Sequence, residues 1–91
     1  MDVRNKLKKC QPYFIDKELI PKLYFSEEID NNGQNIEQWI FFYAFVRKLS
    51  DTAIGIRLGY TRQTINIRTK KIINRNLFII EDFLAKYLTS N

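Results

Sequence analysis

The 91-residue sequence has no histidine and a single cysteine, Cys10. These absences exclude a disulfide within the chain and the common Cys/His zinc clusters. A lone thiol with no histidine to activate it is a poor nucleophile, so Cys10 reads as a small apolar residue in a reducing compartment. Glycine occurs only at positions 33, 55 and 59, too sparsely for a phosphate-cradling loop, and no pair of carboxylates stands in an apolar setting. The expectation is a protein that is not an enzyme, with no catalytic residue, no metal and no cofactor. Hydrophobic runs are short. None reaches membrane-spanning length, and the basic residues Arg4, Lys6, Lys8 and Lys9 are not followed by the apolar stretch of a signal peptide. A cytoplasmic location and no membrane partner are expected.

Core material and unevenly placed charge are what the chain does have. Hydrophobic residues make up 45% of it, with seven Phe, five Tyr and one Trp, enough for a packed core and, at this length, for one domain over 1–91. The richness in Ile, Asn and Lys fits an AT-biased coding genome, as in low-GC bacteria and their phages. The formal net charge is +5. Residues 1–50 hold eight Lys or Arg against seven Asp or Glu, and residues 77–91 hold Lys86 against Glu81 and Asp82. Residues 51–76 hold Arg57, Arg62, Arg68, Lys70, Lys71 and Arg75 against Asp51 alone. The whole excess therefore sits in one stretch, as expected of a polyanion-binding surface.

Apolar spacing divides the rest of the chain. From Leu77 onward, apolar residues at 77, 80, 84 and 87, with 79, 83 and 88 beside them, make one stripe and predict a closing helix over 77–89, capped by Asn76. Asn35, with Gln38 at the reciprocal capping-box position, predicts a support helix over 35–49. Its middle, Trp39 to Val46, is eight consecutive apolar residues, more than one stripe, so a second cover is required: the N-terminal segment folding back, or another copy of the chain. Residues 1–34 read as irregular. Pro12 and Pro21 interrupt any long helix, Asp30-Asn31-Asn32-Gly33 signals a turn, and the triplets Tyr13-Phe14-Ile15 and Leu23-Tyr24-Phe25 suit a short hairpin or short helical turns.

The segment 50–75 carries the motif. Ser50 is placed to cap a helix with Asp51 in its first turn, and Gly59 to end it in the left-handed conformation. Thr61 is placed to cap a second helix that buries Thr64, Ile65 and Ile72 and presents Arg62, Gln63, Asn66, Ile67 and Lys70 outward. Gly55 is expected to be small because the two helices approach closely there. Two helices joined through a tight turn form a helix-turn-helix, so the fold class expected is all-α, a small helical domain built around that unit.

The pattern of Ile54, Gly55, Leu58, Gly59, Thr61 and Thr64-Ile65 resembles the helix-turn-helix of bacterial transcription factors. It is most similar to region four of sigma factors and to sigma-like regulators of phages and mobile elements, over about 25 residues. Two positions depart from it: Arg68 stands where such units bury an aliphatic side chain, and Ile56 where they expose a polar one, so Ile56 is expected to face the N-terminal segment or a partner.

The resemblance implies a second helix docked in the major groove of double-stranded DNA. On that implication Thr61, Arg62, Gln63, Asn66, Ile67 and Lys70 face the bases. Arg62 suits guanine, Gln63 or Asn66 adenine, and Ile67 a thymine methyl. Ser50, Arg68, Lys71 and Arg75 face phosphates. The function expected is sequence-specific transcription regulation; the alternative is an adaptor that binds RNA polymerase with the helix-turn-helix as scaffold. Were the protein a homodimer, Phe41, Phe42 and Phe45 and the last helix are the candidate contact.

Overall fold

A computed structural model describes residues 2–88. Helix α1 spans Val3–Lys9 and is capped by Asp2, whose carboxylate accepts from the Arg4 amide. A second helical segment starts with α2, Pro12–Phe14, with proline at its first position, where a missing N–H costs nothing. It widens into a π-helical turn over Ile15–Leu19 and tightens into a 3-10 turn over Ile20–Lys22. The widening directly precedes Pro21, whose ring cannot sit in a regular α ladder. Helix α3, Ile36–Phe41, continues as a π-helical turn over Phe42–Val46. Helices α4 (Asp51–Leu58), α5 (Arg62–Arg75) and α6 (Leu77–Tyr87) follow.

Among the described residues the regular secondary structure is all helical, with no strand beyond one isolated bridge between Ile29 and Asn35. That bridge closes the Asp30-to-Gly33 turn, where the Asp30 carboxylate accepts from the amides of Asn32 and Gln34 at 2.8 and 2.9 Å. The hairpin considered for residues 13–25 does not form. Phe14 is helical and stacks on Tyr87, with ring centroids 4.8 Å apart, while residues 23–26 form a strap without regular secondary structure. Asn76 holds that strap: it accepts from the Tyr24 amide at 2.7 Å and donates to the Tyr24 carbonyl at 2.9 Å. Asn76 is thus buried and spent on the strap, and makes no side-chain cap on α6. The closing helix ends at Tyr87, with Leu88 as its C-cap; position 89, included in the expected range, lies outside the described residues.

One buried cluster draws on every segment, from Leu7 and Ile15 through Phe41, Phe45 and Ile54 to Ile65, Ile72 and Ile80. The apolar run 39–46 is covered on its second side by α1 and by the 12–22 segment, so its cover is intramolecular. Phe41 and Phe45 are fully buried and are withdrawn as dimer contacts. The support helix stops at Val46 rather than 49. Lys48 takes a left-handed conformation, φ 59°, which ends the helix and lets its ammonium donate to the carbonyls of Leu7 and Cys10 at 3.1 and 3.0 Å, closing the end of α1. Burial lowers the Lys48 pKa, aided by nearby Lys8 and opposed by Cys10. Burial likewise pushes the Cys10 thiol up, against the pull of Lys48, as befits an apolar role.

Candidate nucleic-acid interface

The caps that build the helix-turn-helix stand where the residues dictate. The Ser50 hydroxyl accepts from the Ala53 amide at 3.1 Å, and the Thr61 hydroxyl from the Thr64 amide at 3.1 Å. Gly59, φ 82°, ends α4 in the left-handed region. The amides of Gly59 and Tyr60 both donate to the Gly55 carbonyl at 2.8 Å, so the turn folds directly back over Gly55. A Cβ at position 55 would collide with the Tyr60 carbonyl oxygen. The need for glycine therefore comes from the turn backbone, and the expected contact between the two helix bodies is not the cause.

Helix α5 buries Ile65, Thr69, Ile72 and Ile73. Thr64 is only half-buried, and Thr69 takes the core position, its hydroxyl donating to the Ile65 carbonyl at 2.8 Å. Opposite the core lies an exposed stripe of Gln63, Ile67, Lys70 and Asn74, flanked by Lys71 and headed by Arg62. Among the described residues, the side chains of Arg62, Gln63, Lys70, Lys71 and Asn74 make no hydrogen bond or ion pair, and Ile67 is 53% exposed. Helical periodicity places position 74 seven residues beyond 67 on the same face. Asn74 therefore belongs to the candidate surface and was missed, although the spacing contained it.

Four expected contacts are bound elsewhere. The Thr61 hydroxyl also donates to the Thr64 hydroxyl at 2.9 Å, so both of its bonds go to the helix cap. Asn66 is half-buried and donates to Asp51 at 3.3 Å; Asp51 is also paired with Arg4 of α1. Arg68 pairs with Glu28 at 2.7 Å and lies 5.0 Å from the centroid of the Tyr60 ring. Its guanidinium thus lies over an aromatic ring, at the position where an aliphatic was expected. Arg75 pairs with the buried carboxylate of Glu37 at 2.6 and 3.3 Å.

These pairs set the local titration. The Glu28 hydrogen bond raises the Arg68 pKa, and the Glu37 bond that of Arg75, each against a smaller desolvation. Burial alone would raise the Glu37 carboxyl, but the bonds from Arg75 and the Ser26 amide together outweigh it and hold it below the usual range. Of the six cations in residues 51–76, Arg57, Arg62, Lys70 and Lys71 have no acidic partner among the described residues. Ile56 is 79% exposed on α4, so it does not face the N-terminal segment.

Among the described residues no helix is long and apolar enough to cross a membrane. Comparison with family models, characterised proteins and solved structures gives no match to this chain.

Proposed function

We propose that the protein is a sequence-specific, double-stranded DNA-binding regulator of transcription, acting in the cytoplasm, whose α5 lies in the major groove. The observation that carries the reading is the outward stripe of Gln63, Ile67, Lys70 and Asn74. It is mostly polar with one cation and one apolar residue, free of side-chain hydrogen bonds and ion pairs among the described residues, and borne on a helix fixed at its start by the Thr61 cap and the Gly59 turn. Amides at Gln63 and Asn74 suit adenine edges, Ile67 a thymine methyl, and Arg62 at the first turn a guanine. Lys71, and Ser50 at the start of α4, suit phosphates. Arg75 is assigned to holding the scaffold, since releasing it would leave the buried Glu37 carboxylate unpaired, whereas Arg68 is engaged by the exposed Glu28.

Selection of duplexes from a random pool, followed by anisotropy titration of the winner, tests the reading. It predicts enrichment of a defined site and affinity that falls steeply with salt. An unenriched pool together with no titratable binding at low salt would overturn it.

A second reading, an adaptor that engages RNA polymerase, draws support from the apolar side chains standing in solvent at Ile56, 79% exposed, and Phe78, 88% exposed on α6. Co-migration with purified polymerase equally well with and without DNA, and no shift on any duplex, would favour it. If two copies bind together on half-sites about 34 Å apart, α6 around Phe78 is the surface for their contact.

A further inference from the structure

An open cleft of about 360 Å³ lies between the 12–22 segment and residues 34–42, with no residue of α5 in its lining. Its apolar lining is Ile20, Trp39 and Phe42; its polar groups are Asp16, Gln34, Gln38 and Asn35, whose side chain is already engaged with the Ser26 carbonyl and the Gln38 amide. The chain has fifteen Lys and Arg, yet none lines this cleft, and the only formal charge on its wall is the Asp16 carboxylate. Asp16 is 38% exposed, and its one ionic neighbour among the described residues is Lys17, 3.8 Å away and itself 61% exposed. That separation is the outer limit of an ion pair, and a pair so exposed is weak. The side-chain amides of Gln34 and Gln38 make no hydrogen bond among the described residues, so their oxygens are available. Aromatic faces carry negative quadrupole density and attract cations.

We infer that this cleft binds a small organic cation, an ammonium on a flat apolar body. The ammonium meets Asp16 and the amide oxygens of Gln34 and Gln38, and the body lies against Ile20, Trp39 and Phe42. An anion is repelled by Asp16, and a neutral analogue forfeits the charged contact while keeping the apolar one. The volume suits a ligand at the small end of ordinary binding sites. The assignment is independent of the DNA reading and stands or falls separately from it.

Trp39 is the only tryptophan in the chain, so its fluorescence reports the cleft directly. Titration of the full chain with phenethylammonium, 2-phenylethanol and phenylacetate should give a saturable change with the cation, binding at least about tenfold weaker with the alcohol, and none with the carboxylate. Asp16→Asn should weaken the cation about tenfold and leave the alcohol unchanged. Should Asp16→Asn lose its helical circular dichroism, Lys17→Ala carries the same test: removing the competing ammonium should tighten cation binding severalfold. Equal binding of alcohol and amine, no saturable signal, or indifference to the substitution in a folded variant would overturn the assignment.

Discussion

Replacing Gly55 with alanine should destabilise the domain, against the usual gain from removing a helical glycine. Alanine improves helix propensity by about 0.8–1 kcal/mol. Here its methyl would occupy the space of the Tyr60 carbonyl oxygen, with the Tyr60 carbonyl carbon 3.3 Å away. Both atoms are backbone, so no rotamer change relieves the clash. The turn must move outward, which strains the packing by about 1–3 kcal/mol. It also stretches the two 2.8 Å bonds from Gly59 and Tyr60 to the Gly55 carbonyl, each worth about 0.5–1.5 kcal/mol. The net expectation is a loss of about 1–3 kcal/mol, or a Tm lower by about 5–20 °C for a domain of this size.

Thermal and urea unfolding followed by circular dichroism measures the effect, with Gly33→Ala and Gly59→Ala as controls. Both control glycines have positive φ, 76° and 82°, but open space at the Cβ, so each should cost only the backbone term of about 1–2 kcal/mol. A Gly55→Ala variant as stable as the parent, or more so, would refute the collision and with it the described path of the turn.

Two further outcomes follow from the buried polar groups. Asn76→Ala should cost about 2–4 kcal/mol, because it leaves the Tyr24 amide and carbonyl without their partner in a part-buried strap; a loss under about 0.5 kcal/mol, the level of an ordinary surface substitution, would contradict the clamp. The native pKa of Glu37 is depressed, so its contribution is complete above the ordinary carboxylate value of about 4.3 and is lost as pH falls through the lower native value. The stability gap between the parent and Glu37→Gln should be constant near neutrality and narrow under acid; a gap independent of pH in urea titrations would contradict the Arg75 pairing.

The helix-turn-helix was legible in the sequence because its determinants are local. Ser50 and Thr61 each bond an amide three residues ahead, and Gly59 needs only its own φ. The burial of Ile65 and Ile72 follows from helical spacing. The N-terminal segment was not legible, since its conformation depends on partners far along the chain: Phe14 on Tyr87, Tyr24 on Asn76, and the carbonyl end of α1 on Lys48. For the same reason, counting charges along residues 51–76 overstated the free cations. Glu28 and Glu37, outside that stretch, claim Arg68 and Arg75, and no periodicity within α5 could disclose it. The widening of α3 into a π-helical turn at Phe42–Val46 has no sequence signal that we can identify.

The central claim is that the outward stripe of α5 reads duplex DNA. Its most direct test is anisotropy titration of the selected duplex and a scrambled one against the parent and the Gln63→Ala, Ile67→Ala, Lys70→Ala triple variant, over a range of salt. These side chains are exposed and internally unpartnered, so the fold should persist. The preference for the selected site should disappear, at about 1–3 kcal/mol for each specific pairing lost. The slope of log K against log salt should fall in magnitude by about 1 for the missing Lys70 charge. A folded triple variant that binds the selected site as tightly and as selectively as the parent would contradict the account.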